Sequence, residues 1–221
     1  MAVREMVPLS IAKIVPRVAA RSATLMVPFR IVVEPEAFAN YLTVLKKREK
    51  PEIVVAFMFS ALEVYSASRG RPEIQSNFIL GHMPKILREN PNLSRKAIDY
   101  AYAMLDPKNK RMDKLDRWAA MVGLVMVPTD VISAYKNKRI LFERILTILK
   151  YEINYHLAEA AVWAARMLKD AIDSDLRSQF LVVARQRRQI FEHIQESGHG
   201  DSQLAEILKG LDLLVADFYP S

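Results

Sequence analysis

The chain has 221 residues, room for one large or two small domains around a sizeable core, and at 51% hydrophobic it cannot be disordered throughout. Its 32 Lys and Arg against 25 Asp and Glu leave a net charge of +7 and a pI near 9.6, which favours polyanionic partners. With no cysteine, disulfides, thiolate zinc sites, iron–sulfur ligation and thiol nucleophiles are closed, and none of the six glycines stands in a GxGxxG or GxxxxGK loop.

Residues 1–33 read as a basic arm, and 34–221 as a helical body. Pro8, Pro16 and Pro28 punctuate the arm, whose five basic residues face only Glu5. Ile11, Ile14, Val15 and Val18 fall on one helical stripe, and Lys13, Arg17 and Arg21 recur every four residues on another. Pro16 lacks an amide hydrogen and crowds the Ala12 carbonyl, so a kink is expected there. Phe29 to Val33 is the best candidate for an extended stretch.

In the body, Pro35 and Pro51 suit first-turn positions of helices over about 36–48 and 52–68. The run Ile53 to Phe59 has strand-like propensity, but Ala61, Leu62 and Glu63 extend it past ordinary strand length, so a buried helix is expected. Gly70 and Pro72 break the chain before a less regular helix over 73–89, limited by Gly81 and Pro84. Ser94 suits the N-cap of a helix over 95–105, and Pro107 the start of another to about 126. Pro128, Thr129 and Asp130 mark the next start. From Asp130 to Ala171 the apolar period continues without Pro or Gly, so one helix, or two nearly continuous ones broken near Asn137, is expected, exceeding roughly 40 Å at about 1.5 Å per residue. Asp173 or Ser174 should cap a helix to about 196, and the Ser197 to Gly200 loop should end it. Asp201 or Ser202 then caps a last helix to about Phe218. The expected fold is all-α: a multi-helix orthogonal or bundle-like body behind an extended, proline-kinked basic arm.

The longest stretch free of charged residues, Trp118 to Thr129, is twelve residues, against about 20 for a bilayer span, so no transmembrane helix is expected. Lys13, Arg17 and Arg21 interrupt any signal-peptide core, and the mature chain is expected to start near Met1. An amphipathic helix on a membrane surface is the other role that would suit this segment.

Charge is unevenly placed. Residues 1–50 carry nine basic against four acidic side chains, 51–130 a net +2, and 131–221 a net of zero. Lys13, Arg17, Arg21 and Arg30, extended by Lys46, Lys47, Arg48 and Lys50, match a ladder of closely spaced phosphates, whose neutralisation releases counterions without any base being read. The competing reading is a solvated helix face, with the lysine cluster complementing a helix C-terminus. A second basic group is Arg177, Arg185, Arg187 and Arg188. Arg177, Arg185 and Arg188 share a side in projection, whereas Arg187 falls among Leu176, Phe180, Val183, Phe191 and Ile194. There it must snorkel, pair with a carboxylate, or reach a phosphate or partner subunit. Lys110, Lys114 and Arg117 also align, but Asp113 and Asp116 dilute them into a mixed-charge surface.

Glu152, His156 and Glu159 are the one metal or acid–base candidate, expected on one helix face at i, i+4 and i+7. The ExxH pairs of di-iron bundles are absent, and a histidine bonded to a helical neighbour is the ordinary reading. No GxSxG elbow accompanies the Ser, His and Asp residues. Tyr100, Tyr102, Trp118, Tyr151, Tyr155 and Trp163 are spaced as core residues of packed helices. No cofactor is expected.

An all-helical body, no cysteine, and a proline-punctuated arm bearing Lys13, Arg17, Arg21 and Arg30 ahead of Glu34 together resemble the major capsid proteins of filamentous DNA viruses of hyperthermophilic archaea. The resemblance implies a non-enzymatic coat subunit, pairing as a homodimer or heterodimer, wrapping linear double-stranded DNA held in A-form, and stacking helically. Virion localisation follows from it; otherwise a cytoplasmic protein is expected. The acidic segment from Phe191 to Ser221, with six acids against Lys209, suits either a monomer surface or a neighbour's basic patch. Two other classes stay open: a helical nucleic-acid-binding accessory subunit of an RNA-guided defence complex, and a helical enzyme or metal carrier using Glu152, His156 and Glu159.

Overall fold

The computed structural model describes residues 35–67, 76–109, 114–199 and 202–219. The arm, with Lys13, Arg17, Arg21 and Arg30, the Pro16 kink and the Phe29 to Val33 stretch, lies outside them. The described residues form ten α-helices and no strand: α1 Pro35–Arg48, α2 Pro51–Ala67, α3 Ser76–Glu89, α4 Pro91–Met104, α5 Lys114–Val125, α6 Thr129–Ser133, α7 Lys138–Tyr151, α8 Tyr155–Met167, α9 Ser174–Ile194 and α10 Ser202–Phe218. A 3₁₀ turn, Lys169–Ala171, precedes α9, and a π turn, Gln195–His199, follows it. The protein is all-α.

α1 and α2 begin on the expected prolines, whose fixed φ suits a first helical turn. The ambiguous run Ile53 to Phe59 is helical, and all seven residues are at most 8% exposed. Such burial removes the need for a polar face: α2 lies between α4 and α5, with α1 and α3 also against it. Gly123 of α5 is the point of closest approach, since a Cβ there would stand 2.6 Å from the Phe59 ring.

The later half is built on α8, which packs against α5, α7 and α10. Its Ala158, Ala160, Ala161, Ala164 and Ala165 are all buried, and such small side chains let neighbouring helix backbones come close. A Cβ on Gly210 of α10 would meet Val162 Cγ1 at 3.1 Å. α9 closes the group against α7 and α10. One continuous apolar core runs from Leu42 to Phe218 and joins both halves across the α5–α8 contact.

Three expected boundaries are corrected. The helix assigned to start after Ser94 starts a turn earlier, on Pro91, and Ser94 is buried inside it, its hydroxyl donating to the Leu87 carbonyl at 2.7 Å. Proline at the first helical position outweighed a serine whose hydroxyl serves the end of α3. Pro107 opens no helix: Asp106 Oδ1 accepts the Lys108 amide at 2.9 Å and the Asp106 carbonyl accepts the Asn109 amide at 2.9 Å, making a turn before α5 begins at Lys114. The long helix from Asp130 to Ala171 is three helices. The break before α7 falls near Asn137 as expected, but a second falls at Glu152 to Asn154. There Glu152 is extended, its side chain accepts the Asn154 amide at 2.8 Å, and Asn154 caps α8 by accepting the Leu157 amide at 3.2 Å. At 14 residues, α7 is about 21 Å long rather than 40 Å.

The expected starts at Pro35, Pro51 and Asp173 agree, whereas residues 73–75 and Asp201 lie outside the described residues. Asp173 caps α9 by accepting the Leu176 amide at 2.9 Å, and Gly198, at φ +78°, turns the chain into α10. No helix among the described residues is long and apolar enough to cross a membrane.

Candidate nucleic-acid interface

Of the first basic group, the described residues hold the part that ends α1. Lys46, Lys47 and Arg48 fill its last turn, where cations complement the carbonyl ends of the helix. Lys47, Arg48 and Lys50 are exposed and Lys46 is partly buried; Lys46, Lys47 and Arg48 form no ion pair with any described residue. Among the described residues, Lys47 and Arg48 thus present their charge at the surface.

The arginines of α9 are arranged differently. Arg177 turns back over the helix start, donating from Nε to the Ile172 carbonyl at 3.0 Å and from Nη2 to the Lys169 carbonyl at 2.8 Å. Arg188 reaches α10, pairing with Asp212 at 2.5 Å and with Glu192 at 2.6 Å. Those carboxylates raise its affinity for its proton, the hydrogen bond to Asp212 most of all. Arg185 bonds the Tyr219 hydroxyl and sits over its ring, 5.3 Å from the centroid. The shared side seen in projection thus does not become a shared patch; each guanidinium goes to its own partner.

Arg187 is buried among apolar residues as its position suggested, with 7% exposure. Its Nη2 donates to the Glu152 carbonyl at the end of α7, and its guanidinium lies 4.3 Å from the centroid of Phe191. Instead of snorkelling, pairing with a carboxylate, or reaching a phosphate or partner subunit, as its position led one to expect, it bonds a backbone carbonyl of its own chain. Burial pushes its proton affinity down, against the pull of Glu152. Its Nε is enclosed without an acceptor.

The third alignment is corrected in part. Lys110 and Asp113 lie outside the described residues, but Asp116 is 6% exposed and thus no part of a solvated mixed-charge face. Arg117 is partly buried, with its Nε enclosed and without a partner.

Glu152, His156 and Glu159 do not share a helix face, because α7 ends at Tyr151 and Glu152 belongs to the corner between helices. Gln203 of α10 bonds His156 Nδ1 and reaches Glu159 Oε2 at 3.5 Å. Among the described residues no group of three or more His, Asp or Glu side chains could hold a metal ion.

The aromatic residues behave as core residues with one exception. Tyr100, Tyr102, Trp118, Tyr155 and Trp163 belong to the core or pack against it, whereas Tyr151 is 67% exposed beside Ile153, which is 81% exposed. Sequence reasoning missed this apolar corner because it ran a helix through it; Asn154, a good N-cap residue, was the signal for the break. It also missed Arg144, which stacks 3.9 Å from the Tyr102 centroid, bonds the Tyr102 carbonyl and pairs with Asp106 at 3.1 Å.

Set against protein-family models, curated proteins and solved structures, the chain matches none of them.

Proposed function

We propose that this chain is a non-enzymatic coat subunit that binds double-stranded DNA through its phosphates, without sequence preference, and assembles with copies of itself or a related subunit into a helical filament, the capsid of a virion. The observation that carries the reading is the separation of charge. Residues 1–50 hold a net +5 of the chain's +7, and the described cations at the end of that segment, Lys46, Lys47 and Arg48, have no acidic partner among the described residues. The net-neutral half from 131 onward instead commits Arg139, Arg144, Arg166 and Arg188 to carboxylates of the chain itself. A coat must accept every sequence, and phosphate contacts do so. The exposed Tyr151 and Ile153 supply apolar surface for a contact between subunits.

Equilibrium binding to unrelated duplexes at several salt concentrations tests the reading. Equal affinities are expected, with a loss on the order of a thousandfold between about 50 and 200 mM salt if six or more phosphates are neutralised. The triple variant K46E/K47E/R48E should bind more weakly and with a shallower salt slope. Salt-independent binding, or strong preference for one sequence, would count against a coat.

A further inference from the structure

A cavity of about 160 Å³ lies where the turn after α4 meets α5 and the last turns of α7, and Arg117, Arg144, Thr147, Ile148, Tyr151 and Glu152 contribute to its walls. Two arginines from different helices therefore line one space several times the volume of a water molecule. Their states differ. Arg144 is held by the Tyr102 carbonyl, by Asp106 and by the Tyr102 ring. Arg117 forms no ion pair with any described residue, and its Nε–H is enclosed without an acceptor.

The nearby carboxylates are already engaged. Asp106 accepts from Lys108 through Oδ1 and from Arg144 through Oδ2. Glu152 turns its Oε1 to the Asn154 amide at 2.8 Å, and its carbonyl takes the buried Arg187. The enclosed Nε–H of Arg117 is closed even to water, so an oxyanion in the cavity would be held by the outer nitrogens of its guanidinium, which form no ion pair with a described residue. The planar fork of arginine suits the oxygens of a phosphate group.

We propose that this cavity is a phosphate-group site, with Arg117 as its principal ligand and Arg144 as a second, pre-positioned wall. The site does not depend on the coat reading. The phosphate could be free inorganic phosphate or a phosphodiester of a nucleic acid; both offer the same oxygens.

The test titrates inorganic phosphate into the full chain while following the arginine Nε–Hε resonances by NMR, and separately measures binding of a short mixed-sequence duplex. Wild type should show a saturable shift of the Arg117 resonance. Arg117→Gln should weaken phosphate binding tenfold or more with unchanged far-UV circular dichroism and thermal midpoint, and Arg117→Lys should retain part of it. If duplex binding weakens with Arg117→Gln, the source is a nucleic-acid backbone; if only phosphate binding is lost, the source is free phosphate. The absence of a saturable shift in wild type, or equal phosphate binding in Arg117→Gln, overturns the site. Filament formation is a separate readout, so the site can fail while the coat reading stands, and the reverse.

Discussion

A methyl group on Gly123 would stand 2.6 Å from the ring of Phe59, which is itself fully buried between α2 and α5. Gly123→Ala should therefore force the two helices apart and lower unfolding stability by about 1–3 kcal/mol in urea denaturation. Arg187 tests a different property. Its long side chain fills core volume as well as reaching the Glu152 carbonyl. Arg187→Ala should cost about 2–4 kcal/mol by leaving a hole, whereas Arg187→Met, which keeps the length and removes the charge, should stay within about 1 kcal/mol of wild type. An equal cost for both would mean that the guanidinium's bond, and not its volume, dominates. At this scale burial was more legible than partnership. Helical projection placed Arg187 on an apolar face, but a carbonyl freed by the end of α7 is invisible until that end is known.

Three helix starts carried by proline or by an Asp cap were legible, because the device acts within three residues: Pro35, Pro51 and Asp173 stand where expected, whereas Pro107 is drawn into the turn that Asp106 makes. The misreadings arose where two local devices competed. Ser94 and Pro91 both offer a start, and the hydrogen bond that takes the Ser94 hydroxyl to the Leu87 carbonyl decides between them. Asn154 and Glu152 break a run whose apolar period continues on either side. Asn154→Ala should remove the cap of α8 and lower stability by about 1 kcal/mol, measured by denaturation. The α8–α10 contact adds a pH dependence. Burial pushes the Asp217 carboxyl up, but hydrogen bonds from Arg166 at 2.9 Å and Lys169 at 3.2 Å, with their charges, outweigh it and hold it below the usual aspartate range. A carboxyl lowered by folding stabilises above its unfolded value, about 3.9, and loses that contribution as pH falls through the lower folded value. Wild type should thus be more stable than Asp217→Asn at pH 7, with the gap closing in thermal melts as pH drops below about 4.

For the whole molecule, the all-α class was legible because nearly every apolar segment repeats at helical spacing, and absence of cysteine and glycine-rich loops narrowed the chemistry. The grouping of α1 to α5 around α2, and of α7 to α10 around α8, was not. It depends on which small residues, such as Gly123 and the alanines of α8, allow close approach. The charge gradient along the chain was legible by counting. What the fold adds is that the arginines of α9, which looked like a second basic patch, are spent on Lys169, Ile172, Glu152, Asp212, Glu192 and Tyr219 of the same chain. On the coat reading, duplex binding would then rest chiefly on the first fifty residues, with Lys13, Arg17 and Arg21 as the leading cations expected from the sequence. Electron microscopy of the purified full chain mixed with linear duplex DNA examines this most directly. The coat reading predicts long ordered filaments at low salt, lost at high salt and lost in the triple variant K13E/R17E/R21E; ordered filaments that persist unchanged in that variant would contradict it.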